Sequence, residues 1–478
     1  MDPNYQAPLT PPPLPTAPQK QSHKKRTIFI SVIVAIFVFI IASTAVVYYL
    51  SAIKKDPVVQ QQVDSLTQQA NLLPEDLKAA ITKGLGITPR EYLKQSIVAD
   101  ELSNEAKKAE SEAPDTFGGA YIDSNGKSVM NFTDMDAAKK YSSAIEKKQV
   151  GLNSKRLAEN NALTQKWLDS LSAAQRSAIT SIDVNSKDNT IQVNILDTPA
   201  GKSISKPANL SSNLFKWWPT TGTTTPSPTN PSPTTPAPEA IPADPSTGSA
   251  SDPANSGVLA GDGYFANVTY QGKKTTLGCS LGFSATGPNG QVVAFTSGHC
   301  KEESDKYKGG ALFLESKPTE EIGNFGISKY TAPDDYAVIT LNSKYAALYK
   351  DAGIRTKKSP LYITGTTSPV QGAPACKAGR TSGWTCGRIT SASTTFIGAA
   401  AYANGTYPRI SGFGIDTCAR PGDSGGPFVT GTKAVGIGAR VMTVRGNCGD
   451  KNASQTGGAA YPIETALKQL PGYKLNIR

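Results

Sequence analysis

Three short stretches of the chain carry a histidine, an aspartate and a serine in surroundings that could turn a hydroxyl group into a nucleophile. They are Phe295–Cys300 around His299, Asp334–Ile339 with two aspartates at its start, and Cys418–Pro427 around Ser424. A serine hydroxyl attacks an amide only beside a base, and histidine has a suitable pKa. The imidazole in turn needs a carboxylate to fix its tautomer and stabilise its cation. The three stretches together predict peptide-bond hydrolysis through a Ser-His-Asp triad.

The serine also lies in a glycine-rich turn that can hold the oxyanion formed in such a reaction. The backbone N–H groups of Gly422 and Ser424 can point at one oxygen atom, and Gly422 has no Cβ to obstruct the substrate. The only other histidine, His23, precedes a predicted membrane span, so His299 is the expected base. No metal-binding or nucleotide-binding motif is visible, and the sequence predicts no metal and no cofactor.

Composition and length indicate several domains and an oxidising compartment. The chain has 478 residues, a formal net charge of +11, 34 prolines and 43 glycines. That length suggests more than one domain. All six cysteines lie between Cys279 and Cys448, which predicts three disulfides whose pairing the spacing leaves open. The positive charge alone would admit a nucleic-acid partner, but no cluster of basic and aromatic residues supports one.

The N-terminal 50 residues predict a membrane anchor. Thr27 to Leu50 are 24 residues without a charged side chain, enough to cross a bilayer core of about 30 Å at about 1.5 Å per residue. Basic residues precede the segment, which favours a cytoplasmic N-terminus and a catalytic domain outside. We expect residues 1–26 to be a disordered cytoplasmic tail and residues 27–50 a transmembrane helix. The alternative is a signal peptide cleaved near Ala45, although its apolar region would be shorter.

The next two segments predict a small folded domain and a linker. Residues 56–205 begin with helical periodicity, and Pro89 is predicted to open a helix after Thr88. Two hairpins are then predicted, one around Ser124–Gly126 and one around Asn185–Asn189, which gives an α+β domain. Residues 206–256 are a predicted linker, because 10 prolines fall between Pro219 and Pro253. Cleavage in this linker could release the part that follows.

Residues 257–478 predict an all-β domain, since short β-type segments alternate with glycine, serine and asparagine turns and end in a helix near Ile463–Leu470. This domain resembles a chymotrypsin-fold serine peptidase of the streptogrisin and α-lytic protease branch. The resemblance rests on the sequences GCSLGF from Gly278, TSGHC from Thr296, CKAGRTSGWTC from Cys376 and CARPGDSGGP from Cys418.

The resemblance implies two six-stranded β-barrels with the active site between them. It assigns His299 as general base, Asp335 rather than its neighbour Asp334 as the carboxylate that orients it, and Ser424 as nucleophile. It also implies the disulfides Cys279–Cys300, Cys376–Cys386 and Cys418–Cys448.

The α+β domain is similar to the pro-region of that branch, through FGGAYID from Phe117 and DV with NTIQV from Asp183. In that family the pro-region assists folding and inhibits the protease until it is cleaved off. The long linker is a departure from the family, so a retained tethered domain and a plain stalk stay open as alternatives.

Two further features concern the pocket. A buried Asp423 would need a cation, for which Lys377 or Arg380 are the candidates. Substrate specificity depends on Asp416, Ala439, Arg440 and Val441. Asp416 would favour a basic residue at the cleaved position, whereas neutralisation by Arg440 and narrowing by Val441 would favour a small apolar one.

The sequence therefore predicts a membrane-anchored serine endopeptidase made as a zymogen, with polypeptide substrates, its own pro-region-like domain and the membrane as partners. One alternative is a catalytically inactive surface binding module on the same fold. Another is an esterase, although its nucleophile would normally lie in an α/β pattern.

Overall fold

Three helices begin the part of the chain that this computed structural model describes. The described residues are 57–205, 215–220, 257–270, 273–306, 309–351, 353–399, 406–441, 444–445, 448, 454–455 and 458–478. The helices are α1 (Pro57–Leu72), α2 (Glu75–Leu85) and α3 (Pro89–Glu112). The Thr88 hydroxyl caps α3 by accepting a hydrogen bond from the Glu91 N–H at 3.2 Å, so the helix start predicted at Pro89 is confirmed.

The predicted transmembrane helix and single-pass membrane location are corrected. Within the described ranges, no helix is long and apolar enough to cross a membrane. The longest, α3, has 24 residues, but ten of them are charged, and charged side chains are costly in hydrocarbon. The span predicted at residues 27–50 lies outside the described residues. The fold class that the structure supports is an α+β N-terminal region followed by an all-β chymotrypsin-like region.

An α+β arrangement follows α3. Its elements are β1 (Phe117–Ile122), β2 (Ser128–Phe132), α4 (Met135–Ala138), β3 (Glu146–Gln149), α5 (Ser154–Ser170), α6 (Ala173–Ala178), β4 (Ile179–Asn185), β5 (Thr190–Leu196), α7 (Pro199–Lys202) and β6 (Phe215–Thr220). β1 pairs antiparallel with β2, and β4 with β5, so both predicted hairpins are confirmed. β6 falls inside the segment predicted as a linker and pairs parallel with β5.

The first β-sheet of the C-terminal region positions two of the three expected catalytic residues, Asp335 within one of its strands and His299 in the helix that follows another. Its strands are β7 (Gly263–Tyr270), β8 (Lys273–Ser280), β9 (Ser284–Thr286), β10 (Val292–Thr296), β11 (Leu312–Leu314), β12 (Lys317–Thr331), β13 (Asp334–Leu341) and the C-terminal β23 (Lys474–Leu475). They pair in the order β23-β9-β10-β13-β12-β11-β7-β8. Helices α8 (Gly298–Lys306) and α9 (Ser343–Tyr349) follow β10 and β13. Residues such as Leu281, Ala294 and Ile339 form its buried core.

The second β-sheet closes on itself. Its strands are β14 (Gly365–Thr366), β15 (Pro374–Lys377), β16 (Thr385–Ile397), β17 (Arg409–Ile415), β18 (Pro427–Thr430), β19 (Lys433–Val441) and β22 (Gly458–Pro462). Because β15 pairs with both β16 and β18, the six strands β15-β18-β19-β22-β17-β16 form a closed ring. The short strands β20 (Val444–Arg445) and β21 (Ser454–Gln455) pair separately. Helix α10 (Ile463–Gln469) confirms the predicted terminal helix.

The N-terminal region packs directly on this second barrel. Strand β4 adds to the outer edge of β16, where Ser181–Val184 pair antiparallel with Ser393–Phe396. The buried Tyr92 hydroxyl of α3 accepts a hydrogen bond from the Gly431 N–H at 2.9 Å. Apolar side chains of α2 and α3 share one buried cluster with both β-sheets of the C-terminal region. From Leu66 to Arg478 the chain is therefore one compact unit.

Candidate active site

His299 and Asp335 form a buried pair between β10 and β13. His299 is the second residue of α8, and a Cβ on the preceding Gly298 would lie 2.3 Å from the Lys329 carbonyl oxygen, so only glycine permits this close start. The His299 Nδ1 lies 2.9 Å from Asp335 Oδ2, and the His299 backbone N–H donates to Asp335 Oδ1 at 2.9 Å. The side chains are 4% and 0% exposed. One carboxylate thus holds both the backbone and the ring of His299.

The charge of Asp335 controls the protonation of His299. Burial lowers the pKa of the imidazole, because it removes water from the cation. The negative charge and hydrogen bond of Asp335 outweigh burial, and the pKa of His299 is raised. Asp335 therefore stabilises the imidazolium that a general base becomes during a reaction.

Ser424 lies in the turn before β18, next to the first β-sheet. Its carbonyl accepts a hydrogen bond from the Ser280 N–H at 2.8 Å, and the Ser280 hydroxyl donates to the Gly422 carbonyl at 2.9 Å. The Gly425 N–H donates to the Gly438 carbonyl of β19 at 2.8 Å. A Cβ on Gly425 would lie 2.2 Å from the Thr296 hydroxyl, so the turn is pressed against the end of β10. Across the described residues, no hydrogen bond joins the Ser424 hydroxyl to His299.

The turn leaves two backbone N–H groups available. Asp423 N–H donates to the Arg420 carbonyl and Gly426 N–H to the Asp423 carbonyl, each at 3.0 Å, whereas the N–H groups of Gly422 and Ser424 have no acceptor in the described part of the chain. Gly422 has φ +100°, and a Cβ there would lie 2.4 Å from the Thr381 hydroxyl. Glycine is therefore required for this turn, which can present two donors to an oxyanion.

Asp423 is buried beneath the turn and is paired with Lys377, one of the two expected cations. The Lys377 Nζ lies 2.8 Å from Asp423 Oδ2, and the side chains are 1% and 2% exposed. The N–H groups of Thr381, Ser382 and Arg420 also donate to this carboxylate. Burial raises the pKa of Asp423, but the charge of Lys377 and these hydrogen bonds prevail, so its pKa is lowered.

Arg380, the other candidate, instead forms an ion pair with Glu315. Its Nε donates to Glu315 Oε2 at 2.8 Å. The structure thus distinguishes two basic residues that the sequence left equivalent.

A small, partly open cavity adjoins Ser424. Arg440 and Val441 line it, together with Ile415, Ala419 and Ala459 among others. Ala439 is buried in β19 but is not among the lining residues. Asp416 does not line the cavity either, because its carboxylate turns to accept a hydrogen bond from the Arg388 N–H.

Arg440 does not pair with Asp416. Its Nη1 donates to the backbone carbonyls of Ile397 and Gly398. Of the four residues expected to set specificity, the structure brings only Arg440 and Val441 to the cavity.

Three disulfides stabilise the loops around the site. They join Cys279 to Cys300, Cys376 to Cys386 and Cys418 to Cys448, the same pairs that the resemblance implies. The first fixes the end of β8 to α8, immediately after His299. The second joins directly opposed residues of β15 and β16.

Sequence reasoning missed three residues that support the site. The Ser280 backbone and hydroxyl hold the Ser424 turn, the Ser382 hydroxyl contacts both Lys377 and Asp423, and the Tyr330 ring packs edge-on against His299 with centroids 6.0 Å apart. Ser280 and Ser382 lie beside or between paired cysteines, which is the one signal that could have found them. Tyr330 carries no local signal, because it is brought to His299 by the pairing of β12 with β13.

Comparison with known proteins identifies a family that matches the C-terminal region, and relatives of the chain. The family model described as Trypsin matches residues 263–462. Streptogrisin-C of Streptomyces griseus is 29% identical over 223 residues, 46% of this chain and 42% of that protein. Serine protease 2 of Streptomyces fradiae is 30% identical over 163 residues, 33% of this chain and 84% of that protein. The solved structure of Thermobifida fusca Protease A is 23% identical and aligns with a TM-score of 0.32, covering 46% of this chain and 99% of that one.

The residues that the family model matches include the His299–Asp335 pair and the Ser424 turn. The chain spans less than half of Streptogrisin-C but most of Serine protease 2. The chain therefore belongs to the trypsin family, as a chymotrypsin-fold serine peptidase of the streptogrisin and α-lytic protease branch.

Proposed function

We propose that this chain is a serine endopeptidase in which His299, Asp335 and Ser424 act as the catalytic triad. The observation that carries the proposal is the buried hydrogen bond of 2.9 Å between His299 Nδ1 and Asp335 Oδ2, beside a serine turn with two unpaired backbone N–H groups. A carboxylate bound to Nδ1 leaves Nε2 as the proton acceptor.

In the proposed reaction, His299 Nε2 takes the proton of the Ser424 hydroxyl while the serine oxygen attacks the peptide carbonyl. The N–H groups of Gly422 and Ser424 donate to the oxyanion of the tetrahedral intermediate. The C–N bond then breaks, and His299 gives its proton to the leaving amine. Water attacks the acyl-enzyme by the same route, releasing the acid and restoring the serine.

The triad is tested by active-site labelling. The full chain, before and after limited proteolysis, is treated with a fluorophosphonate, and the labelled residue is identified by mass spectrometry. We expect label on Ser424 together with cleavage of casein, and loss of both in Ser424→Ala. A folded chain that takes no label would instead support the non-catalytic binding module.

We also propose that residues 57–205 act as a pro-region that assists folding and holds the peptidase inactive. The addition of β4 to β16, the buried Tyr92 hydroxyl at Gly431 and the ion pair of 2.6 Å between Asp169 and Arg409 support this proposal. These contacts leave the second barrel dependent on the N-terminal region for one strand edge and part of its core.

Co-expression tests the pro-region. Residues 257–478 are produced alone and together with a separate chain of residues 57–220. We expect soluble, labelled peptidase only with the second chain, and inhibition when that chain is added back to active enzyme. Equal yields without inhibition would indicate a stalk.

A further inference from the structure

Arg440 lines the cavity, and no described residue forms an ion pair with it. Its guanidinium donates from Nη1 to the carbonyls of Ile397 and Gly398, the latter at 3.3 Å. Among the residues that the structure describes, it forms no ion pair and no other hydrogen bond. The side chain is only partly exposed, and burial lowers its pKa. A guanidinium has five N–H donors, and Nε and Nη2 make no hydrogen bond within the described part of the chain.

The guanidinium lies close to Tyr330 and to the charge of His299. Gly398, which accepts its hydrogen bond, packs on Tyr330, because a Cβ there would lie 2.3 Å from the Tyr330 hydroxyl. The Tyr330 ring in turn contacts His299. The charge of Arg440 is also close enough to His299 to lower the pKa of the imidazole, in opposition to Asp335.

The other charges at the cavity cancel. Lys377 and Asp423 form a buried ion pair, and the remaining lining residues include Ile415, Phe428 and Val441. Among the described lining residues, Arg440 is therefore the one whose charge has no counter-ion. A desolvated cation without a counter-ion is costly, and a carboxylate compensates it best, since guanidinium binds carboxylate through paired hydrogen bonds.

We propose that Arg440 makes this peptidase selective for substrates with a glutamate or aspartate side chain on the acyl side of the scissile bond, close to it. The inference rests on the proposed function, because it names the substrate class of the same site. It replaces the basic or small apolar preference expected from Asp416 and Val441, since Asp416 is directed to Arg388 instead.

The test compares substrates that differ only by charge. A preparation that reacts with fluorophosphonate is assayed with peptide pairs carrying Glu or Gln, and Asp or Asn, at each acyl-side position in turn. We expect kcat/KM for one acid to exceed that of its amide by about tenfold or more, as for a hydrogen bond between charged groups. Arg440→Gln should bring the ratio close to one, while Lys433→Gln, which removes a charge from the other end of β19, should preserve it.

A pH profile distinguishes recognition by the charge from a purely structural role of Arg440 at the β16–β17 hairpin. Loss of the guanidinium should raise the pKa of His299 and move the acid limb of kcat/KM for the amide substrate to higher pH. An acid-to-amide ratio near one in the unmutated enzyme overturns the inference, as does a ratio that Arg440→Gln leaves unchanged. Absence of fluorophosphonate labelling overturns the proposed function and the inference with it.

Discussion

The Lys377–Asp423 pair connects the stability of the Ser424 turn to a single buried cation. Both groups are almost fully buried, and the carboxylate also accepts hydrogen bonds from three backbone N–H groups. Removing one partner of a buried pair is costly because the other remains as an uncompensated charge. Lys377 and Asp423 both belong to the second barrel. Asp423 therefore has its cation without an ammonium group from a newly released N-terminus.

We expect Lys377→Met to destabilise the full chain by about 3–5 kcal/mol and to abolish fluorophosphonate labelling of Ser424. The measurement is thermal unfolding together with labelling at a temperature where the variant stays folded. Arg380→Met is the control, because Arg380 pairs with Glu315 and is partly exposed. Equal effects of the two substitutions would show that Lys377 is not the cation that matters.

The raised pKa of His299 predicts the acid limb of the pH profile. General-base catalysis needs the neutral imidazole, so activity should be lost as pH falls through the pKa of His299. Because Asp335 raises that pKa, the loss should begin above the ordinary value of about 6.5. In Asp335→Asn the pKa should fall and the acid limb should move to lower pH, with a large decrease in kcat. Profiles of kcat/KM would test this, and an unchanged limb would contradict it.

At the residue scale, the types and order of His299, Asp335 and Ser424 were sufficient to predict a His–Asp pair and a glycine-rich serine turn. The direction of individual side chains was not predictable. Asp416 and Arg440 are both next to cavity-lining residues in the sequence. Asp416 accepts a hydrogen bond from the backbone of β16, whereas Arg440 donates one to the carbonyl of Ile397 at the end of β16. Those directions depend on strand register, which no local pattern contains.

At the scale of single elements, α2 contacts the second barrel so closely that it allows no side chain at one position. A Cβ on Gly84 would lie 2.2 Å from the carbonyl oxygen of Cys386, a backbone atom of β16 held by a disulfide. Gly84→Ala should therefore lower the melting temperature of the full chain, even though alanine favours the helix by about 1 kcal/mol. Lys83→Ala is the matched control on the exposed face. A variant more stable than the parent would indicate that α2 does not dock there.

The junction of β4 and β16 contains a buried carboxylate, Asp183, that forms no ion pair with any described residue. Asp183 accepts hydrogen bonds from Asn194 at 2.6 Å and from the Thr394 hydroxyl. Burial raises its pKa, and these hydrogen bonds only partly oppose the shift. A carboxyl group with a raised folded-state pKa contributes most stability when protonated, so its contribution is lost as pH rises from the unfolded value toward the folded pKa.

We therefore expect the melting temperature of the full chain to fall as pH rises from the unfolded-state pKa of Asp183 toward its folded-state pKa. The fall should be smaller in Asp183→Asn, because asparagine has no proton to lose. The measurement is thermal unfolding of both chains at a series of pH values above 3.8, the ordinary pKa of the group. Parallel curves would show that Asp183 does not titrate at the junction.

Elements with local signals were predicted from sequence, and those that depend on distant partners were not. Pro89 with its Thr88 cap, and turns rich in asparagine and glycine, identified α3 and both hairpins. The parallel strand β6 was assigned to the linker because only its pairing with β5 makes it a strand. The addition of β4 to β16 joins residues about 200 positions apart, which no periodicity indicates.

At the scale of the molecule, the N-terminal and C-terminal regions share hydrophobic core rather than touching through a polar surface. Leu77, Ile81 and Tyr92 are fully buried in the cluster that reaches both β-sheets of the C-terminal region. A shared core of this kind makes unfolding of the two regions cooperative. The sequence indicated two domains separated by a proline-rich segment. Amino-acid composition identifies the segment that connects two regions, but it does not show whether the regions pack against each other.

The strand pairing at Ser393–Phe396 has a consequence for any form of the protein that has lost its N-terminal region. Removal of β4 would expose the backbone N–H and C=O groups along the outer edge of β16. An extended segment of another polypeptide could then pair with that edge. Ser393, Thr394 and Thr395 make this edge hydrophilic, which limits self-association of an enzyme that has lost its N-terminal region. The same edge would still accept an inhibitor that binds as an added β-strand.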